Sequence, residues 1–149
     1  MIEFRNARAD DLPAIVRLLA DDALGAKREG TEDVAPYQKA FAALTVQKDN
    51  AIIVGENRGQ VVACLQLLLV PGLSRQGATR AFIEGLRVSQ SLRGKGIGEA
   101  LVKHAIDKAR AADCRIVQLT SDKSRTDAYR FYERLGFKAS HIGMKLELA

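Results

Sequence analysis

The sequence has 149 residues, 47% hydrophobic and 28% charged, with 23 basic against 18 acidic side chains for a formal charge of +5. That length suits one core-bearing domain, residues 1–149, and the composition excludes a low-complexity or disordered chain. The longest nearly unbroken apolar run, Val61 to Val70, falls far short of the ~20 residues that cross a bilayer as a helix. The opening Met-Ile-Glu-Phe-Arg forms no apolar leader, so a cytoplasmic protein without membrane attachment is expected.

Residues 2–8 alternate apolar and polar side chains, the period of a half-buried strand. Asp10 or Asp11 then suits the cap of a helix, with Pro13 tolerated in its first turn and Leu12, Ile15, Val16, Leu18 and Leu19 as its apolar stripe. Gly25 and Gly30 bracket a polar connection, and a second helix is expected over residues 35–46. The least periodic stretch, residues 24–36, is the candidate for a mobile or substrate-facing segment.

Three strands are expected next, over residues 51–56, 61–70 and 79–88, with a tight turn at Asn57-Arg58-Gly59-Gln60 and a polar loop at residues 74–77. A long helix follows over residues 96–111, its stripe running through Ile97, Leu101, Ala105 and Ala109. A short strand at 116–119 leads to a helix over 125–135, with Ser124 or Asp122 as cap and Gly136 in the left-handed closing position. Residues 142–148 alternate again, as a final strand would. The order describes a mixed α/β, α+β-like layer fold with helices against the sheet.

Cys64 and Cys114 both lie in apolar strand-like runs and read as buried free thiols. His104 and His141 are not spaced as a helical metal pair and have no carboxylate cluster beside them, so no metal site is expected. The basic residues are spread along the chain rather than concentrated on one element, which argues against nucleic acid as partner. Arg93, Lys95, Lys123, Arg125 and Arg130 form a local concentration that suits a small polyphosphate.

The central signal is a strand ending near Val88, a short loop, and Arg93-Gly94-Lys95-Gly96-Ile97-Gly98 opening an amphipathic helix. Glycines remove side chains where backbone must approach a ligand, and the free amides of the first turn, aided by the helix dipole, suit a pyrophosphate. Lys95 is followed by Gly96 rather than Ser or Thr, which excludes the nucleoside-triphosphate loop. The position past mid-chain, without a second nucleotide-binding half, argues against a dinucleotide fold.

Arg-x-x-Gly-x-Gly at residues 93–98, between strand and helix, resembles the acetyl-CoA-binding motif of the GCN5-related N-acetyltransferase (GNAT) superfamily. The run Tyr129-Arg130-Phe131-Tyr132-Glu133-Arg134-Leu135-Gly136-Phe137 resembles that family's C-terminal helix and the strand after it. The resemblance implies a central, mostly antiparallel mixed sheet flanked by helices, with acetyl-CoA as cosubstrate. It implies that Leu86, Arg87 and Val88 pair through their backbone with the pantetheine arm. The amides of Arg93, Gly94, Lys95, Gly96, Ile97 and Gly98 would take the pyrophosphate.

By the same resemblance Tyr132 is the candidate acid toward the coenzyme A sulfur; an unperturbed tyrosine, pKa ~10, is protonated at neutral pH. Glu84 interrupts an otherwise apolar strand and is the candidate base or cation anchor on the amine side. Many relatives place an asparagine after the fifth strand, where this chain has Thr120 and Ser121, and Thr120 or Ser121 is the candidate substitute. Arg125, with Lys123 and Arg130, is a candidate for the adenosine 3′-phosphate, and Tyr129 for a cofactor-side position. The expected activity is acetyl transfer to a primary amine of a small molecule. The alternatives are a protein or peptide amine as acceptor, or a coenzyme A-binding protein that does not catalyse. A homodimer is expected, through edge strands or the C-terminal strand.

Overall fold

The computed structural model describes residues 1–149, and its sheet follows the chain. Strands β1 (Glu3–Asn6), β2 (Asn50–Asn57), β3 (Gln60–Val70), β4 (Arg80–Val88) and β5 (Ile116–Gln118) lie side by side in that order. The first four are antiparallel neighbours, and β5 runs parallel to β4. A parallel neighbour requires a crossover, and the helix expected over 96–111 supplies it as α5 (Ile97–Ala111). The other helices are α1 (Leu12–Leu19), α2 (Ala23–Arg28), α3 (Ala35–Thr45), the single turn α4 (Ser74–Gly77) and α6 (Thr126–Arg134).

Adjacent residues of the central strands serve different layers. Ile53 packs with Leu65, Leu67, Leu101, Val102 and Ala105 under α5, whereas its neighbour Val54 packs with Ile15, Leu18 and Cys64 under α1. The strands therefore read as nearly continuous apolar runs, because both faces are covered. The stripe expected on the long helix is the one that is buried: Ile97, Leu101, Val102, Ala105 and Ala109.

Several expectations are corrected. The stretch 24–36 contains α2, which is too short to show a period. Its helix is fixed by Asp22, whose Oδ1 accepts from the Gly25 N–H at 2.6 Å, and by a close approach in which a Cβ on Gly25 would run into the Leu19 carbonyl oxygen. The polar loop at 74–77 is a helical turn with Arg75 and Gln76 in left-handed geometry.

Asp11 precedes α1 but does not cap it. Its carboxylate accepts from the Arg8 N–H at 2.7 Å and from the Arg5 guanidinium at 2.7 and 3.0 Å, while Arg5 Nε donates to Glu56 at 2.7 Å. Neither Ser124 nor Asp122 caps α6; Asp122 instead closes a turn onto the Ser124 N–H at 2.9 Å. Both cysteines are free, with Cys64 buried and Cys114 only half-buried.

The final strand does not form. Ile142, Met144, Leu146 and Leu148 stand 86–92% exposed, and residues 138–149 belong to no helix or strand. Alternation specifies a strand only where a partner edge runs beside it. The tail passes β5 at Gly143, beside Thr120, and continues into solvent.

Candidate active site

β4 pairs with β5 only from Arg80 to Phe82; beyond that the two strands part. The Ser89 N–H donates to Val62 O at 2.8 Å, so Arg87 and Ser89 present their backbone to β3. The alternating residues Leu86 and Val88 therefore turn theirs to the gap. Their carbonyls accept from side chains instead of a strand: Leu86 O from Arg87 Nη1 at 2.8 Å, and Val88 O from Arg93 Nε at 3.2 Å.

The turn that follows is built for a backbone-bound ligand. Gly94 and Gly96 adopt φ of 79° and 82°, and a Cβ at either would point into open space. The N–H groups from Gly94 to Glu99 have no hydrogen-bond partner within the protein. Gly98 serves packing: a Cβ there would lie 3.4 Å from Val88 and 3.5 Å from Phe131. Unclaimed amides around a left-handed turn at a helix start fit a diphosphate such as that of acetyl-CoA. Arg93, at the cradle's edge, has partners within the chain. Besides Val88 it holds Asp21, through a hydrogen bond to the carbonyl at 3.2 Å and an ion pair at 3.8 Å, bracing the end of β4 against the end of α1.

Next to the gap lies a cleft between β4 and α6, lined by Glu84, Leu86, Arg87, Thr120, Arg125 and Tyr132 among others. A bulge shapes its floor. Gln66 pairs with Glu84 and Cys64 with Arg87, so Gly85 and Leu86 together oppose Leu65. Gly85 takes φ of 62°, the glycine-first form of bulge. Glu84 and Arg87 are three residues apart and would face opposite sides of a regular strand; the bulge puts both on the α1 face, with Cys64.

Tyr132 is largely buried, edge-on to Phe131 at 5.1 Å and to Phe137 at 5.7 Å between ring centres. Burial pushes its hydroxyl above the usual tyrosine range, against the pull of Arg87 and Arg125, so it is a proton donor at neutral pH. Arg125 Nε donates to Asp22 Oδ2 at 2.9 Å. Burial raises the Asp22 carboxyl, but hydrogen bonds from Arg125 and the Gly25 N–H outweigh it and hold the group below the usual carboxylate range.

Arg87 is half-buried, its Nε is shielded from solvent without a partner, and it belongs to none of the ion pairs. Burial, and then the charge of Arg125, lower its affinity for its proton. Beneath it, burial pushes the Cys64 thiol up to about 12, which makes it an inert core group.

Of the residues singled out in the sequence, Glu84, Leu86, Arg87, Thr120, Arg125 and Tyr132 meet in this cleft, and Arg93 to Gly98 form the turn at the end of the same strand. Tyr129 is 55% exposed and lies outside the cleft. The side chain of Arg87, and Asp22 behind Arg125, were not anticipated. The available signal was Gly85 inside a strand, which marks a bulge.

The family model described as "Acetyltransferase (GNAT) family" matches residues 12–137. The chain belongs to this family. A solved structure described as a transcriptional regulator from Bacillus halodurans C-125 superposes with a TM-score of 0.96 at 46% identity, covering 99% of this chain and 100% of that one. The glucosamine 6-phosphate N-acetyltransferase of Trypanosoma brucei brucei is 27% identical over 99% of this chain and 96% of its own length. The aminoalkylphosphonate N-acetyltransferase of Salmonella typhimurium is 27% identical over 94% of this chain and 87% of its own. The mixed, mostly antiparallel sheet flanked by helices is the GNAT fold, and the family's general activity is acetyl-CoA-dependent N-acetylation. No helix is long and apolar enough to cross a membrane.

Proposed function

We propose that this GNAT protein transfers an acetyl group directly from acetyl-CoA to a primary amine of a small molecule. The observation that carries the reading is the convergence of Tyr132 and Glu84 in one cleft, beside the strand that leads to the unclaimed amides of residues 94–99. Acetyl-CoA supplies the thioester. The amides from Gly94 to Gly98 would hold its diphosphate, and the open edge at Leu86 and Val88 its pantetheine arm. Glu84, directly or through a water, takes a proton from the ammonium and leaves a neutral nitrogen able to attack. As the new C–N bond forms and the C–S bond breaks, Tyr132 donates its hydroxyl proton to the departing sulfur, and the proton that the acylated nitrogen then sheds restores the Tyr132 hydroxyl. Thr120, Arg125 and Tyr129 are cofactor-side candidates in the same reading. Two similar enzymes support a small acceptor, since their names specify glucosamine 6-phosphate and aminoalkylphosphonates.

A second reading, a coenzyme A-binding regulator without turnover, is favoured by the 46% identity to a protein described as a transcriptional regulator. Thiol release from acetyl-CoA against amino sugars, aminophosphonates, polyamines, aminoglycosides and lysine peptides separates them. Release with a small amine supports the transferase. Release with peptides alone redirects it to protein acceptors, and saturable binding of acetyl-CoA without release supports the regulator.

The same reading includes a homodimer. The exposed alternating run Ile142–Leu148 has the pattern of a strand without a neighbour, and β5 has a strand on one side only. A second copy, giving its tail and taking this one, would satisfy both in a closed two-fold exchange. Light scattering should give twice the 16.3 kDa chain mass, and Leu146→Lys should shift it toward monomer; a monomeric wild-type protein at high concentration refutes the exchange.

A further inference from the structure

Arg87 has no charged partner of its own in the cleft. Arg87 and Arg125 both face it, and the carboxylate between them is that of Asp22. Both Asp22 oxygens are already engaged, Oδ1 by the Gly25 N–H at 2.6 Å and Oδ2 by Arg125 at 2.9 Å. The remaining groups facing Arg87 are neutral: the Cys64 thiol below it and the Tyr132 hydroxyl beside it. One bond from Nη1 to the Leu86 carbonyl, 2.8 Å, positions the guanidinium, and its buried Nε has no acceptor. A partly buried guanidinium with unfilled donors next to a second guanidinium is costly unless an anion completes it.

Resting on the transferase reading above, we infer that the acceptor is a short primary amine bearing an anionic group, carboxylate, phosphonate or phosphate. Arg87 takes the anion, while Glu84 takes the ammonium. The bulge at Gly85 supplies the geometry, since it brings the carboxylate of Glu84 and the guanidinium of Arg87 to one face. Three residues of extended chain separate their Cα atoms by at most about 10 Å. Side chains that leave one face of the strand so close together can be bridged by one short molecule carrying both charges.

The planar fork of arginine suits bidentate binding of a carboxylate or phosphonate better than a lysine would. The coenzyme A diphosphate has donors of its own in the unclaimed amides of the turn that opens α5, beyond the end of β4.

The test compares kcat/KM within matched pairs: 2-aminoethylphosphonate and β-alanine against propylamine. The anionic members should be preferred about tenfold to a hundredfold, the worth of a hydrogen-bonded charge. Arg87→Gln should collapse that ratio by raising KM for the anionic members, and Arg87→Lys should keep part of it. Equal use of charged and neutral amines overturns the anion site while leaving the transferase reading in place. So does an Arg87→Gln loss that falls equally on both, which would assign Arg87 to the acyl group.

Calorimetry with coenzyme A at saturation gives a readout without turnover. 2-Aminoethylphosphonate should bind the wild-type protein and bind Arg87→Gln at least tenfold more weakly. If no amine releases thiol yet this difference holds, the anion site stands and the transferase reading falls. Equal binding by the two proteins overturns the site.

Discussion

The two ends of the sheet treat the same residue types in opposite ways. At the β1 end, Arg5 has two carboxylates to itself, with Nε on Glu56 and Nη1 and Nη2 on Asp11. Those partners hold Arg5 firmly protonated and hold Asp11 below the usual carboxylate range. At the β4 end, Arg125 holds Asp22 while Arg87 has no ion-pair partner, its Nε lacks an acceptor, and a run of amides faces open space. Polar groups satisfied inside the chain fasten it. Groups left open at one place, where strands part, await something from outside.

The contrast breaks most sharply at the turn. Gly96→Val puts a β-branched side chain at φ 82° and over the free amides. Acetyl-CoA binding should fall below detection by calorimetry, with the far-ultraviolet spectrum intact. Normal binding would place the diphosphate elsewhere. Tyr132→Phe removes one hydroxyl and keeps the ring between Phe131 and Phe137. It should lower kcat about a hundredfold, the usual yield of a positioned acid, with acetyl-CoA affinity unchanged. An unchanged kcat takes Tyr132 out of the chemistry.

The closed end should answer in stability instead. Arg5→Met should cost about 2 kcal/mol in urea unfolding at pH 7, the worth of hydrogen bonds to charged groups, and leave KM alone. Because Arg5 lowers the Asp11 pKa, the pair's contribution is present above the unfolded value of ~3.9 and is lost as pH falls through the lower folded one. The gap between variant and wild type should therefore narrow at pH 3. A gap independent of pH would mean that packing, not charge, holds that end. The smallest effect is expected from Glu84→Gln, about a tenfold loss in kcat/KM for the amine with the acetyl-CoA term unmoved. An unaltered rate and pH profile would make Glu84 a surface carboxylate.

What the sequence disclosed depended on whether the cause was local. Glycines at 94, 96 and 98 and the stripe from Ile97 to Ala109 are dictated within one turn of the chain, and their places were legible. Tyr132 and Glu84 could be picked out by type and neighbours. The side chain of Arg87 could not be placed, because counting along a strand assigns it to the wrong face until the bulge at Gly85 is known. α2 was hidden because a cap and a contact with Leu19, rather than a period, hold it. Residues 142–148 carry a sound strand pattern, but a pattern does not name the partner.

Gly85 also makes β4 unequally sensitive to changes of length. Loss of its single codon would remove the bulge and leave Leu86 alone opposite Leu65, so Glu84 and Arg87 would keep their side of the sheet, now on a flat strand. A residue inserted between Glu84 and Arg87 without a second bulge would instead carry every later residue to the other face, Arg87 into the apolar layer under α5 and Val88 away from Gly98. Shortening the strand at this point is therefore a milder change than lengthening it. Deletions of Gly85 should be commoner in functional descendants of this sequence than insertions beside it.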